Sequence, residues 1–192
     1  MADLAHALTP AYPLDALAAG ARAIPAAQLT ALGPAARLAF RGRDAAIGPA
    51  GEAYGVALPR EANRFATGAD GRLALWLGPD EWLLVAPGAA PAPIVAAIGQ
   101  AVGALPHSLV DVSSRSVGIA VEGAKAAYAL NQGVPLDLSL AAFPVGMATR
   151  TLLGKAEIVL LRHGPESFHI DVWRSFAAYV WQYLDGARRE LG

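Results

Sequence analysis

The chain has 192 residues, a formal net charge of −1 and no cysteine. This length accommodates one domain or two small units that share a core. The near-neutral charge argues against a nucleic-acid partner, which would need a concentrated basic face, and the lack of Cys excludes disulfides and thiolate chemistry. Charged residues make up 16% of the chain, against about 25% in typical globular proteins. We therefore expect part of the surface to lie in a permanent interface with another chain.

The sequence also argues against a membrane segment and a secretory signal. The stretch 82–105 carries no charge, but its prolines leave only residues 94–105 free to form a helix. A membrane-spanning helix needs roughly 20 residues. The N-terminus has no basic region and carries Asp3, unlike a secretory signal. Together with the lack of Cys, these features predict a cytoplasmic protein with no membrane partner.

The first half of the chain predicts an arm followed by a regular α+β unit. Residues 1–34 are rich in Ala and Pro and show no strong period, so we predict an N-terminal arm. Residues 35–110 predict a first repeat of strand, helix, strand, strand and helix, separated by Gly and Pro. Its predicted strands are 37–40, 73–77 and 82–86, and its predicted helices are 44–54, capped by Asp44, and one beginning at Ile94.

Residues 111–192 predict a second repeat with the same order of elements. Its predicted strands are 116–121, 156–161 and 168–173, and its predicted helices are a short one ending at Leu130 and a longer one capped by Ser175. Apolar residues at helical spacing predict the buried face of that last helix. They are Phe176, Tyr179, Val180, Tyr183 and Leu184.

The glycines that separate these elements pair off between the two repeats. The clearest correspondence is between residues 78–82 (GPDEW) and residues 164–168 (GPESF). Two copies of a strand–helix–strand–strand–helix unit indicate an α+β protein of ferredoxin-like character. We expect the two repeats to form one compact unit.

No group of residues predicts a catalytic, cofactor-binding or metal site. The four histidines are scattered, and His163 and His169, which flank one turn, are interpreted as an exposed loop residue and a solvent-facing strand residue. No HExxH, P-loop or GxGxxG motif occurs. Residues 111–115 (DVSSR) are polar, but serine catalysis requires a positioned base, so we interpret them as a strand end followed by a turn.

A candidate partner interface surrounds the point where the last strand becomes the last helix. Trp173 and Arg174 lie at that point, and Trp and Arg are the commonest interface anchors. Phe176, Arg150 and Lys155 complete the candidate interface. In the alternative interpretation, Trp173 is a core residue and the basic side chains form a solvated rim.

Six segments form a longer and more specific pattern. They are 76–84 (WLGPDEWLL), 111–115 (DVSSR), 130–138 (LNQGVPLDL), 143–151 (FPVGMATRT), 154–158 (GKAEI) and 173–176 (WRSF). In this order they resemble the gamma subunit of heterotetrameric sarcosine oxidase. The resemblance covers most of the chain from about residue 35 onward and is weakest in the arm. It implies a fold like the folate-binding domain of the glycine-cleavage T protein.

The resemblance implies a place in a cytoplasmic αβγδ flavoprotein complex of sarcosine catabolism and one-carbon metabolism. Such a complex oxidatively demethylates sarcosine to glycine and yields hydrogen peroxide with formaldehyde or methylene-tetrahydrofolate. In that family FAD, covalent FMN, NAD, zinc and tetrahydrofolate are attributed to the alpha, beta and delta subunits. The gamma subunit is then a non-catalytic structural subunit.

One segment departs from the folate-binding pattern of the related T protein. Residues 154–157 (GKAE) carry Glu157 as their one carboxylate, where the pattern would have an acidic pair. No pterin-binding aspartate is therefore assigned, and we expect this chain to bind no cofactor of its own. Two alternatives stay open: a subunit of a related oxidase acting on another secondary N-methyl amine, and a free-standing folate-binding protein.

Overall fold

The computed structural model describes residues 12–191, so residues 1–11 of the predicted arm lie outside the described residues. The strands are β1 (Gln28–Ala31), β2 (Ala35–Gly42), β3 (Phe65–Thr67), β4 (Leu73–Gly78), β5 (Glu81–Pro87), β6 (His107–Asp111), β7 (Ser116–Glu122), β8 (Ala148–Leu153), β9 (Ala156–Gly164) and β10 (Ser167–Trp173). The α-helices are α1 (Asp15–Ala19), α2 (Asp44–Tyr54), α3 (Pro91–Val102), α4 (Ala126–Asn131) and α5 (Ala177–Arg188). Within residues 12–191, no helix is long and apolar enough to cross a membrane.

The first sheet has the antiparallel strand order β3-β4-β5-β2-β6. With α2 and α3, the strands β2, β4, β5 and β6 form a β-α-β-β-α-β unit of ferredoxin-like connectivity. Helix α2 confirms the predicted helix 44–54, and Gly55 ends it in the left-handed conformation at φ +82°, where glycine carries no steric cost. The predicted capping role of Asp44 is wrong, because α2 has no side-chain cap and Asp44 instead accepts a hydrogen bond from Arg60.

The second sheet has the order β1-β7-β10-β9-β8 and repeats this arrangement. Strand β1 pairs antiparallel with β7, as β6 pairs antiparallel with β2 in the first sheet. The second unit has no strand after α5 within residues 12–191. Its fourth strand therefore comes from residues 28–31, which belong to the predicted N-terminal arm.

A buried arginine holds the segment before β1 in place. Arg188 in α5 is fully buried and donates hydrogen bonds to the backbone carbonyls of Arg22 (2.9 Å) and Ala27 (3.3 Å). Its charge is balanced by Asp185, at 2.8 Å from Nη2. The last helix thus anchors the strand that completes its own sheet.

The two sheets face each other, and each carries its helices on its outer face. Helices α2 and α3 pack on the first sheet around Phe40, Tyr54 and Trp82. Helices α4 and α5 pack on the second sheet around Phe168 and Trp181. Between the sheets lies a smaller apolar cluster, whose buried members are Leu73, Leu75, Leu83, Val85, Ala148 and Leu161. This architecture, two ferredoxin-like units packed sheet to sheet, agrees with the predicted duplicated α+β fold.

Two predictions about the last helix are wrong. Ser175 is not its N-cap, because residues 174–176 form a 3₁₀ turn and α5 begins at Ala177 with Phe176 in the capping position. The buried face is also rotated from the predicted one, since Phe176 and Tyr179 are exposed. The residues of α5 that are buried are Ala177, Val180, Trp181, Leu184 and Arg188.

Candidate functional site

All five residues of the predicted interface are exposed. Arg150 lies on β8, Lys155 in the turn to β9, Trp173 at the end of β10, and Arg174 and Phe176 in the 3₁₀ turn before α5. Trp173 is 44% exposed, so the alternative that it is a core residue is wrong. Arg150 and Trp173 line the same small cleft at one end of the two sheets.

Exposed apolar side chains concentrate at this end of the second sheet. Among residues 12–191, nine large hydrophobic residues are exposed, and four of them lie here: Leu152, Trp173, Phe176 and Tyr179. Leu152 pairs with Glu157 across β8 and β9, and the register of β9 and β10 places Trp173 beside Glu157. We call these four residues, with Glu157, the end surface. Exposed apolar side chains that cluster among polar residues are a common mark of a protein–protein contact.

Several charged side chains around the end surface bind partners within the chain. The guanidinium of Arg115 lies 6.0 Å from the ring centroid of Trp173, within range of a cation–π interaction. Arg150 and Arg41 both bind the carboxylate of Glu81. Partial burial acts to raise the pKa of Glu81, but hydrogen bonds and charge from Arg150 and then Arg41 outweigh it and lower the pKa. Arg41 and Arg150 therefore share one anion, and together with Arg115, Lys155 and Arg174 the basic side chains at this edge outnumber the acidic Asp80, Glu81 and Glu157.

A tyrosine holds the turn between β8 and β9 against α5. The backbone N–H of Lys155 donates to the hydroxyl of Tyr179 at 3.2 Å. Gly154 precedes it with φ +57°, and a Cβ on this residue would collide with the same hydroxyl oxygen. The positive φ thus favours glycine here, and a Cβ would displace the hydroxyl that accepts the Lys155 hydrogen bond. The turn fixes Lys155 and Tyr179 at the border of the end surface.

Deeper between the sheets lies a buried ion pair. The Nε atom of Arg37 on β2 donates to Oδ2 of Asp171 on β10 at 2.6 Å. Burial raises the pKa of Asp171, and the charge and hydrogen bond of Arg37 oppose this rise, with further help from a hydrogen bond of Ser116. Both side chains are almost completely enclosed, so the pair fixes how one sheet lies on the other.

The two histidines that flank the last hairpin turn meet at this inter-sheet space. Their ring centroids are 6.1 Å apart, and His163 also makes an edge contact with Phe65 at 5.1 Å. Burial lowers the pKa of His169 to about 3, and the charges of His163 and Arg37 add to this effect. Burial also lowers the pKa of the more exposed His163. Both imidazoles are therefore neutral at pH 7.

The interpretation of His169 as a solvent-facing residue is wrong, because it is only 7% exposed. The residue does alternate with apolar neighbours along β10, but the second face of this strand is covered by the first sheet rather than by water. His163, by contrast, is exposed as predicted.

The polar segment 111–115 forms a strand end and a turn, as predicted. The hydroxyl of Ser113 donates to Asp111 at 2.5 Å and accepts from the backbone N–H of Arg37 at 3.0 Å. It is therefore a structural hydroxyl that joins the turn to β2. Within residues 12–191, no three His, Asp or Glu side chains come close enough together to hold a metal ion.

Sequence reasoning missed the role of Arg37 and Asp171. Each lies at an alternating position of a predicted strand, a pattern that normally indicates the solvent-facing side of a sheet. The duplication of the unit was the feature that could have predicted their burial. Two sheets with their helices outside must pack their inner faces on each other, so polar residues of those faces need partners.

The fold and the site together define a class of protein: two ferredoxin-like units packed sheet to sheet, with an apolar end surface beside clustered arginines. Within that class, the chain belongs to the sarcosine oxidase, gamma subunit family, whose model matches residues 37–190.

Individual relatives agree with this assignment. The chain is 34% identical over 142 residues to the sarcosine oxidase subunit gamma of Corynebacterium sp. (strain P-1), covering 73% of this chain and 68% of that protein. It is 30% identical over 139 residues to the sarcosine oxidase subunit gamma of Arthrobacter sp, with 72% and 68% covered.

Solved structures reproduce the fold along nearly the whole chain. A chain of the heterotetrameric sarcosine oxidase from Corynebacterium sp. U-96, in complex with pyrrole 2-carboxylate, superposes with a TM-score of 0.86 at 29% identity, covering 95% of this chain and 96% of that one. The glycine cleavage system aminomethyltransferase T from Bartonella henselae superposes with a TM-score of 0.64 at 17% identity, covering 83% and 45%. The second likeness concerns the fold alone, and it agrees with the predicted T-protein-like architecture.

Proposed function

We propose that this chain is the non-catalytic structural gamma subunit of a heterotetrameric sarcosine oxidase that demethylates sarcosine to glycine. The observation that carries the proposal is the likeness to a chain of such an enzyme over 95% of this chain. A structural role is supported by the contacts of the polar side chains, which bind other groups of the same chain. The buried charges of Arg37 and Asp171 bind each other, and the hydroxyl of Ser113 joins a turn to a strand.

The proposal assigns the redox chemistry to the partner chains. FAD, FMN, NAD, zinc and tetrahydrofolate are then bound by the alpha, beta and delta subunits, in the cytoplasm. For this chain, the departure from the folate-binding pattern at residues 154–157 supports the assignment. Glu157 there is exposed on the end surface, next to Leu152, rather than enclosed where it could hold a pterin ring.

The end surface and its basic neighbours are the proposed contact with a partner subunit. Trp173 supplies a large exposed aromatic anchor, and Arg174, Phe176, Arg150 and Lys155 flank it. Exposed aromatic and arginine side chains that desolvate together commonly carry most of the binding energy of an interface. The net positive charge at the edge favours a partner surface with acidic residues around an apolar pocket.

The decisive experiment compares the wild-type chain with Trp173→Ala/Arg174→Ala after co-expression with the three other subunits. Affinity purification through a tag on this chain measures assembly, and absorbance and sarcosine turnover measure the flavin chemistry. The double variant should weaken assembly by about thirtyfold or more, while the complex that still forms keeps nearly normal turnover per flavin. Tyr128→Ala is the matched control, since Tyr128 is an exposed aromatic residue on α4.

Each alternative function predicts a different result in the same experiment. A fully assembled and fully flavinylated complex of the double variant that does not turn over sarcosine would contradict the non-catalytic role. A yellow complex active on another secondary N-methyl amine but not on sarcosine would identify a related oxidase. A colourless chain that purifies alone and binds tetrahydrofolate would identify a free-standing folate-binding protein.

A further inference from the structure

A cavity of about 460 Å³ lies between the two sheets, apart from the end surface. The side chains of Leu73 and Val85 line it from the first sheet, and His163 and His169 line it from the second. Arg37 also lines it, whereas its partner Asp171 lines the cleft beneath Trp173. The ion pair thus separates the cavity from that cleft. A volume of this size falls within the range of small-molecule sites, about 300–1,000 Å³.

The charges around the cavity cancel. The Arg37 guanidinium is neutralised by Asp171 at 2.6 Å, and no carboxylate belongs to the described residues that line the space. The two histidines are neutral at pH 7 because burial lowers the pKa of each. An anion or a cation would therefore lose its hydration without gaining a counter-charge. The walls favour a neutral occupant.

One buried polar atom of a residue that lines the cavity has no protein partner. Nε2 of His169 is buried and makes no hydrogen bond within residues 12–191. Nε2 and the side chain of Leu32 both lie against Gly118 on β7. A Cβ built on Gly118 would be 3.0 Å from Leu32 Cδ1 and 3.2 Å from Nε2. Leu32 also lines the cavity. Buried imidazole nitrogens normally have a partner, and the side chain of Leu32 would have to move for a ligand in the cavity to supply one.

We propose that this cavity binds a neutral, largely apolar small molecule that carries one hydrogen-bonding group, placed beside His169. The apolar walls provide most of the contact area, and the group beside Nε2 sets the orientation of the molecule. A bicyclic aromatic amide has the required size and polarity. The inference does not depend on the proposed role in the oxidase, because assembly and ligand binding are measured separately.

Two probes of the same shape and different charge test the proposal. We would titrate 2-naphthamide and 2-naphthoate into the full-length chain, alone and in its complex, and follow binding by saturation-transfer NMR. The amide should saturate with a dissociation constant at or below about 1 mM, and the carboxylate should bind at least about tenfold more weakly. In ¹⁵N-histidine-labelled chain, the amide should shift the Nε2 resonance of His169.

Two variants that fill the space from different sides provide the specificity control. Ala35→Phe at the cavity wall and Thr67→Trp at its exposed rim should each weaken binding of the amide about tenfold. Ala96→Phe, which adds the same ring at an exposed position of α3, should leave binding unchanged. Because Thr67 is exposed, its variant remains informative if Ala35→Phe does not fold.

Three results would overturn the proposal. The first is equal affinity for the amide and the carboxylate, or the lack of saturable binding by the amide. The second is binding that neither cavity-filling variant changes. The third is binding to the isolated chain that is lost in the complex, which would show that a partner side chain fills the cavity there.

Discussion

The Nε atom of Arg37 lies 2.6 Å from Oδ2 of Asp171, and the two side chains are 1% and 4% exposed. Arg37 belongs to the first unit and Asp171 to the second, so one buried charge pair joins the two halves of the protein. A pair of this kind adds little stability compared with apolar residues of the same shape, but it becomes costly when one partner is removed. Its clearest effect is therefore on the relative position of the sheets.

Replacing Asp171 by Asn should destabilise the protein strongly. The guanidinium of Arg37 would remain buried without a counter-charge, which costs about 3–5 kcal/mol of the free energy of unfolding. Chemical denaturation of the full chain measures the loss. Arg37→Met combined with Asp171→Leu is the matched comparison, and it should recover most of the stability because no charge remains enclosed. If the free energy of unfolding of Asp171→Asn lies within about 1 kcal/mol of the wild-type value, the ion pair is dispensable for stability.

The neutral state of His169 predicts a stability that falls with acid. Its pKa is about 3 in the folded protein and about 6.5 in the unfolded chain. Below pH 6.5 the unfolded chain takes up a proton that the folded protein does not, so folding loses stability as the pH falls from 6.5 towards 3. Between pH 7.5 and pH 5 this group alone should cost roughly 2 kcal/mol.

Denaturation curves of wild type and His169→Phe at pH 7.5, 6 and 5 isolate that contribution. The variant cannot take up the proton, so its loss of stability between pH 7.5 and pH 5 should be about 2 kcal/mol smaller than that of wild type. Ile170→Val is the control, since it alters the neighbouring core without removing a titratable group, and it should lower stability equally at every pH. Parallel pH dependence of wild type and His169→Phe would mean that water reaches the imidazole.

The sequence was informative where a local rule decides the structure. Helix α2 has the predicted bounds because Gly55 ends it in a left-handed conformation, and the hairpin turns follow their Gly-Pro pairs. It was uninformative where the structure depends on contacts between distant segments. The alternation of His169 and Asp171 with apolar neighbours is the same whether the second face of β10 meets water or another sheet.

The N-terminal strand shows the same limit more sharply. Residues 28–31 have no strong strand pattern of their own, and they pair with β7, far along the chain. Within the described residues no strand follows α5, so the edge of β7 that a fourth strand of the second unit would occupy is open to residues 28–31. The sequence also left the burial of Trp173 open, because a large aromatic residue at a strand-to-helix transition can face either the core or the solvent, and the structure places it at the surface.

Removing Arg188 should release this N-terminal strand. Arg188→Leu eliminates the hydrogen bonds to the carbonyls of Arg22 and Ala27, and bonds from a charged donor contribute about 1.5–3 kcal/mol each. Hydrogen exchange followed by mass spectrometry should show lost protection in peptides covering residues 20–34. Arg189→Leu is the matched control, because Arg189 binds the same Asp185 from an exposed position. Equal protection in both variants would contradict an anchoring role.

Two glycine-to-alanine substitutions should change stability in opposite directions. Gly123 precedes α4 with φ +120°, and a Cβ there would collide with the carbonyl oxygen of Pro25. Gly123→Ala therefore meets both backbone strain, about 1–3 kcal/mol, and a collision with the backbone that leads into β1. Gly99 lies inside α3, and a Cβ added to it would have no neighbour within 4 Å, so Gly99→Ala should stabilise the helix by about 0.5–1 kcal/mol.

Thermal denaturation of the two variants beside wild type measures both effects. A stable Gly123→Ala protein would mean that the segment before β1 can move away from α4 without loss, so that Gly123 is not needed to hold this segment in place.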